Sequence, residues 1–248
     1  MVFTSHLFLF LFLPVFLITY YVIPFRARSG LILVFSYVFY GWWRPDFAAL
    51  LGAVTVVSYA LTLLMESKGW RHRYATLAVG VVLNLSALAY FKYFNFGMDS
   101  MNVLLEGLGL SPMGYSRVVL PIGLSFFIFQ AISYMVDVYR GDAPKTENLF
   151  DFAAFISFFP QLVAGPVLRY QPLADQFRHR VHSWSHFSTG ALIFMAGFSG
   201  KVLIADPMNP MVEAAFNLTH PTMADAWLGT LAYTIQLFFD FSGYSTMA

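Results

Sequence analysis

Phe158-Phe159-Pro160-Gln161-Leu162-Val163-Ala164-Gly165-Pro166-Val167-Leu168-Arg169-Tyr170 decides how the rest of the chain is read. The stretch lies in very apolar surroundings, yet no ordinary membrane helix can run through it. Pro160 removes a backbone donor, and the Gly165-Pro166 pair stops any helix begun near Phe150. Broken backbone at membrane depth persists only where it is buried in protein or lines a wet cavity. Gln161 and Arg169 flank the break and suit such a cavity. The segment is therefore expected to wall an intramembrane chamber.

Composition supports the membrane setting. The 248 residues are 58% hydrophobic and 11% charged, where a soluble domain carries about 25% charged residues. A chain of this length accommodates roughly seven or eight spans of ~20 residues. The formal net charge of +1 argues against a nucleic-acid partner. The absence of Cys excludes disulfides, thiolate metal sites and a cysteine nucleophile. No basic region precedes Arg26 and no small-residue cleavage site follows the first apolar run, so the N-terminus reads as a retained first span.

The expected architecture is an all-α polytopic membrane protein, with residues 1–248 forming a single membrane domain. Seven spans are expected at about 7–23, 31–43, 47–65, 75–94, 118–139, 189–204 and 226–248. Tyr20 and Tyr21 end the first at an interface, Trp42 and Trp43 form another aromatic belt, and Pro45 suits the first turn of the third span. Residues 95–117 read as a connection with a short surface helix at 101–108. Residues 149–166 form the broken segment. Residues 171–187 read as an interfacial amphipathic helix, with Leu173, Phe177, Val181 and Trp184 on one stripe and Arg178, His179, Arg180 and His182 off it. Residues 206–225 read as a loop without Lys or Arg.

Loop charges test the broken segment. With the N-terminus outside, Arg26, Arg28, Lys68, Arg71, Arg73, Arg140 and Lys145 all fall inside. If 149–166 crossed, Arg169, Arg178 and Arg180 would face outside; if it enters and returns, they stay inside. The positive-inside rule favours a re-entrant segment. Lys92 and Arg117 dissent, lying in an outside connection.

Several polar groups could carry chemistry. Tyr233, Gln236, Asp240 and Tyr244 recur at i, i+3, i+7 and i+11 on the seventh span. An intramembrane carboxylate is costly and usually faces the bundle interior. Asp240 either orients a reacting group or bonds a neighbouring helix. Asp137 reads as a structural ion pair with Arg140, and Lys201 as a snorkelling side chain paired with Asp206. Arg169 either holds an anionic group at the chamber mouth or anchors the chain inside. His182 and His186 lack a third ligand, so no metal site is expected. No phosphate loop, hydrolase elbow or dinucleotide fingerprint is present. The residues themselves leave two classes open: an intramembrane enzyme, or a transporter with a midplane site.

Four blocks then add a resemblance: Pro121 to Phe127 running on to Tyr134 to Gly141; Phe158 to Tyr170; Lys201 to Asp206; and Phe239 to Ser245. Together they resemble the membrane-bound O-acyltransferase family, and within it the branch that O-acetylates bacterial alginate. Met1 to Ser5, Phe8 to Pro14 and Tyr90 to Gly97 match that branch too. The resemblance implies a multi-pass enzyme of the bacterial inner membrane, N-terminus periplasmic, that helps acetylate mannuronate hydroxyls of alginate. It implies periplasmic alginate-acetylation proteins as partners, a polysaccharide acceptor, the lipid bilayer as surroundings, and no bound cofactor. The donor would be acetyl-CoA or another acyl thioester. A buried family histidine would act as general base on the accepting hydroxyl. A teichoic acid D-alanyl transferase is the alternative within the family; a transporter of acyl groups or polymer is the alternative outside it.

Two departures qualify the resemblance. The family histidine belongs to a motif downstream of the Ser-Gly-Tyr block, and Thr246 stands where the family usually has Asp. The chain is therefore expected to be an N-terminal half, inert by itself, with no catalytic residue assigned. Gln161, Arg169, Gln236, Asp240 and Tyr244 are the candidate funnel-lining residues. The orientation has a direct check, because the chain lacks native Cys. A cysteine introduced beside Arg178 should react with a membrane-impermeant maleimide only from the cytoplasmic side; reaction from outside refutes the re-entrant topology.

Overall fold

In the first helix of the chain, a proline sets the geometry. Pro14 has no N–H, and its ring would press on the carbonyl four residues back. The chain responds with a π-helical turn at Phe8–Phe12, closed by the Leu13 N–H on the Phe8 carbonyl, and then continues as α1, Leu13–Val22. This is a computed structural model, and it describes residues 3–42, 44–67, 70–146, 148–163, 165, 169–171 and 182–248, with backbone alone at 67, 70 and 71. A 3-10 turn at Phe25–Ala27 leads to α2, Arg28–Gly41. Then follow α3 (Pro45–Ser67), α4 (Trp70–Gly107), α5 (Leu124–Arg140), α6 (Leu149–Ser157), α7 (Phe159–Leu162) and α8 (Trp184–Gly200). A second π turn, Lys201–Ala205, joins α8 to α9, Asp206–Phe216, and α10 spans Met223–Met247. All regular structure among the described residues is helical.

The chain is an all-α membrane protein. Three stretches are long and apolar enough to cross a bilayer: Pro45–Glu66, His72–Gly107 and Trp184–Phe216. Helices lie near all seven expected places, but seven crossings are not shown. The first, third and fourth appear as helices near their expected places, but the α1 stretch Phe8–Val22 is short. At 14 and 17 residues, α2 and α5 extend only about 21 and 26 Å, against a ~30 Å hydrocarbon core. The fifth span starts later than expected because Pro121 and Gly123, the latter at φ 75°, hold a turn ahead of Leu124.

The described residues fall into two compact units: Met1–Arg28, Phe159–Pro166 and Arg178–Ala248 in the first, Ser29–Phe158 and Val167–Phe177 in the second. In the second unit α5 packs on α3, α4 and α6. Phe127, Ile128, Ala131 and Met135 of α5 and Phe152, Ala154 and Ile156 of α6 are fully enclosed. Polar groups close this core in pairs. Gln130 donates to the Phe155 carbonyl at 3.1 Å, and the Tyr134 hydroxyl meets Thr146 Oγ1 at 2.7 Å while accepting its N–H at 2.9 Å. The expected Asp137–Arg140 pair does not form. Asp137 is 6% exposed, whereas Arg140 is the last residue of α5 and its side chain is exposed at the helix end, where solvent satisfies it.

The expected connection at 95–117 is largely helix. α4 runs unbroken for 38 residues, about 57 Å, through Asn95, Gly97 and Asp99. Polar residues along one edge explain why it continues, since each finds work holding the returning chain. Asn95 exchanges two hydrogen bonds with Val118 (2.7 and 2.9 Å), Asp99 accepts from the Tyr115 hydroxyl (2.5 Å), and Asn102 exchanges two with Met113 (2.8 and 3.1 Å). Asp99 also lies 3.6 Å from Arg117. The carboxylate beside Tyr115 raises that phenol above its usual range.

In the first unit α8 and α10 approach until a Cβ on Gly197 would stand 2.7 Å from the Gly243 carbonyl. Only glycine fits there, and close backbone approach is how membrane helices pack. α8 begins at Trp184, earlier than expected, because Ser183 caps it by accepting the His186 N–H at 3.1 Å. Helical structure also continues past the expected end, through the π turn into α9. The segment expected to be a loop at 206–225 is α9 for half its length, with Pro207 in the first turn and Pro210 inside. The expected amphipathic helix at 171–187 lies mostly outside the described residues; its last four positions form the first turn of α8.

Replacing Asn95 by Ala removes both bonds to Val118. Loss of a satisfied backbone pair costs about 1–3 kcal/mol. Hydrogen–deuterium exchange of the purified protein should show faster exchange over residues 113–118, with little change in α5.

Candidate functional site

The break in the opening stretch falls at Phe158. This residue ends α6 at φ −51°, ψ 108°, and α7 restarts with Pro160 in its first turn, where a missing N–H costs nothing. Helices of 9 and 4 residues would reach only about 20 Å even end to end, too short to cross a bilayer. Gly165 donates to the Gln161 carbonyl at 3.1 Å, and a Cβ on Gly165 would collide with Gln161 Cα at 2.3 Å. Glycine is required for the chain to turn so tightly over Gln161, which is itself 4% exposed.

Phe159 anchors the restart. Its ring packs edge-on against Phe3, Phe8, Phe12 and Phe16, with centroids 6.5, 6.2, 5.3 and 5.1 Å away. Phe8, Phe12 and Phe16 are spaced by four, so they form one stripe on the first helix. Edge-to-face rings at these separations add about 0.5–1.5 kcal/mol per pair beyond area burial. Phe3 also stacks on Tyr244 at 4.7 Å and 10°. The broken segment and the end of α10 thus meet on one phenylalanine.

The polar face expected on the last helix exists, and it is turned toward α8 and α9. Tyr233 meets Phe216 edge-on at 6.1 Å. Gln236 donates to Asn209 Oδ1 at 2.9 Å, and Asn209 donates to Glu213 Oε1 at 2.9 Å. Asp240 accepts from Lys201, whose ammonium also reaches Asp206 at 3.1 Å. Lys201 is 17% exposed and each carboxylate 51%. The expected pairing of Lys201 with Asp206 is correct but incomplete, because Asp240 shares the ammonium.

Of the five candidates, Gln236, Asp240 and Tyr244 lie on one face, and Gln161 belongs to the same unit. Arg169 is exposed and belongs to the other unit. Sequence reading missed Asn209 and Glu213. Their spacing with Asp206 is helical, but Pro207 and Pro210 disguised the segment as a loop. The five histidines among the described residues, His6, His72, His182, His186 and His220, are all exposed. No cluster of metal-ligating side chains occurs among the described residues.

Residues 67–248 match the model of the membrane-bound O-acyltransferase family. The whole chain is 54% identical to a protein of Azotobacter vinelandii named "Probable alginate O-acetylase AlgI" and covers 50% of it. A protein of the same name from Pseudomonas aeruginosa is also 54% identical, with 48% of its length covered. A peptidoglycan O-acetyltransferase of Helicobacter pylori is 30% identical over the whole chain, which covers 53% of it. The chain spans about half the length of these relatives. No solved structure matches it.

The shared ammonium makes a measurable asymmetry. Lys201→Ala breaks two ion pairs and leaves facing carboxylates, whereas Asp206→Ala removes one half-exposed partner worth under about 1 kcal/mol. Thermal unfolding in detergent should fall clearly more for Lys201→Ala. A double-mutant cycle between positions 201 and 240 should return a non-zero coupling.

Proposed function

The chain belongs to the membrane-bound O-acyltransferase family, and from that premise we propose that it is part of an enzyme that O-acetylates alginate. The observation that carries this reading is the 54% identity to probable alginate O-acetylases along the entire chain. The proposed site is the face of α10 that bears Gln236, Asp240 and Tyr244, together with the buried Gln161. The broken segment enters and leaves the membrane from one side and provides backbone that can bend around a substrate. Arg169 serves as an inside anchor.

The proposed chemistry is attack of a mannuronate hydroxyl on an acetyl thioester, with acetyl-CoA as donor. The hydroxyl oxygen bonds to the acyl carbon, the thiolate leaves, and a general base takes the hydroxyl proton. A water-poor chamber favours transfer over hydrolysis of the donor. The described histidines are exposed, so none provides a buried base. We propose that these 248 residues bind and shape without completing the reaction. The proposed setting is the bacterial inner membrane, N-terminus periplasmic, with periplasmic alginate-acetylation proteins as partners.

A second reading has a specific observation behind it: the Helicobacter pylori relative named a peptidoglycan O-acetyltransferase matches the whole chain at 30% identity. The higher identity to the alginate group ranks it second. Deleting the gene should abolish ester-linked acetate on secreted alginate, measured after mild alkaline release, and the full gene should restore it. Unchanged alginate acetylation removes the first reading; loss of acetate from peptidoglycan instead establishes the second.

A further inference from the structure

We propose that a groove between α1 and the start of α8 holds an acyl chain of an anionic phospholipid, with the lipid phosphate at Arg28 and His182. The groove measures about 540 Å³ and is lined by Leu17, Ile18, Tyr21, Val22, Trp184 and Phe187, with His182 and Ser183 as its polar members. That volume falls within the ~300–1,000 Å³ of small-molecule sites. Its rings hold one another: Trp184 stacks on Phe187 at 5.4 Å, and Tyr21 meets Phe187 at 6.4 Å. Val22 is 79% and Trp184 82% exposed. Tyr and Trp so placed are the ordinary furniture of the headgroup boundary.

Charge selects the occupant. Arg28 Nη1 donates to His182 Nε2 at 2.6 Å, and its guanidinium lies 4.9 Å from the Tyr20 ring centroid. Tyr20 and Tyr21 both flank the His182 ring, at 5.6 and 5.5 Å. No carboxylate pairs with Arg28 among the described residues, and its Nε is enclosed without an acceptor. A guanidinium with no carboxylate beside it attracts a phosphate by charge and hydrogen bonding. Among the described residues the groove lining contains no Asp or Glu to receive the ammonium of a zwitterionic headgroup. The site therefore favours a net-negative lipid such as phosphatidylglycerol. A free phosphate would leave the apolar lining unused. The inference is independent of acyl transfer and of alginate.

Trp184 supplies the probe. The full-length protein in detergent micelles is titrated with phosphatidylglycerol or phosphatidylcholine carrying the same dibrominated acyl chains. The Trp184 signal is isolated by subtracting the Trp184→Phe protein. Half-quenching should need about fivefold less phosphatidylglycerol than phosphatidylcholine, the effect expected of one basic residue near an anionic headgroup. Arg28→Gln should abolish that preference while retaining quenching, and Arg28→Lys should keep most of it. Equal quenching by both lipids in the wild type overturns the proposal without any appeal to a variant. So does a preference that survives in Arg28→Gln. Absence of Trp184 quenching by either lipid means that protein fills the groove, and displacement by millimolar inorganic phosphate means a simple anion site; each also overturns it.

Discussion

The structure depends on a single constraint: backbone donors and acceptors must be satisfied where no water can serve them. Proline removes a donor and crowds the carbonyl four residues back. This chain answers that constraint in two ways. Before Pro14 and before Pro207 the helix widens into a π turn and continues, with the Leu13 and Asp206 N–H groups reaching back five residues. Before Pro160 it stops at Phe158 and starts again. The outcomes differ because the surroundings differ. Trp184–Phe216 stays a continuous span, whereas the restart after Phe158 is seated in a cage of aromatic rings and can dispense with continuity.

That contrast explains which parts of the fold were legible in the sequence. The break at Phe158 to Pro160 was readable because the two signals, Pro160 and Gly165-Pro166, bracket a short segment. Pro45 opening α3 was readable for the same reason. The α9 helix was not, because Pro207 and Pro210 carry the same local signal as a loop, and the π turn that rescues them has no signature in composition. The extension of α4 was hidden differently. Asn95, Gly97 and Asp99 look like loop residues, but the two polar ones serve to hold chain that follows much later, a long-range pairing that no local window contains. The candidate site shows the same division. The stripe Gln236, Asp240 and Tyr244 follows from helical spacing, while its partners Asn209 and Lys201 depend on how α8, α9 and α10 pack.

The Lys201 network carries the strongest physical implication for where function resides. One ammonium shared by two carboxylates leaves a net negative charge on the face of α8, α9 and α10. Ion pairs in hydrocarbon are costly even when balanced, and an unbalanced one more so. The ammonium is mostly enclosed, yet each carboxylate remains half open. Lipid tails cannot solvate those open oxygens, so the face they occupy must meet water, a polar cavity or further hydrogen-bond donors. Gln236, Asn209 and Glu213 extend the same polar strip by another two turns. A membrane helix retains such a strip at a cost in stability, and the return on that cost is a surface able to hold a polar substrate inside an apolar protein. The glycine contact at Gly197 and Gly243 keeps α8 and α10 close enough for Lys201 to reach Asp240. Packing and polarity on this face are therefore one arrangement: widening the helix contact would separate the charges, and removing the charges would leave the close contact without its polar partner.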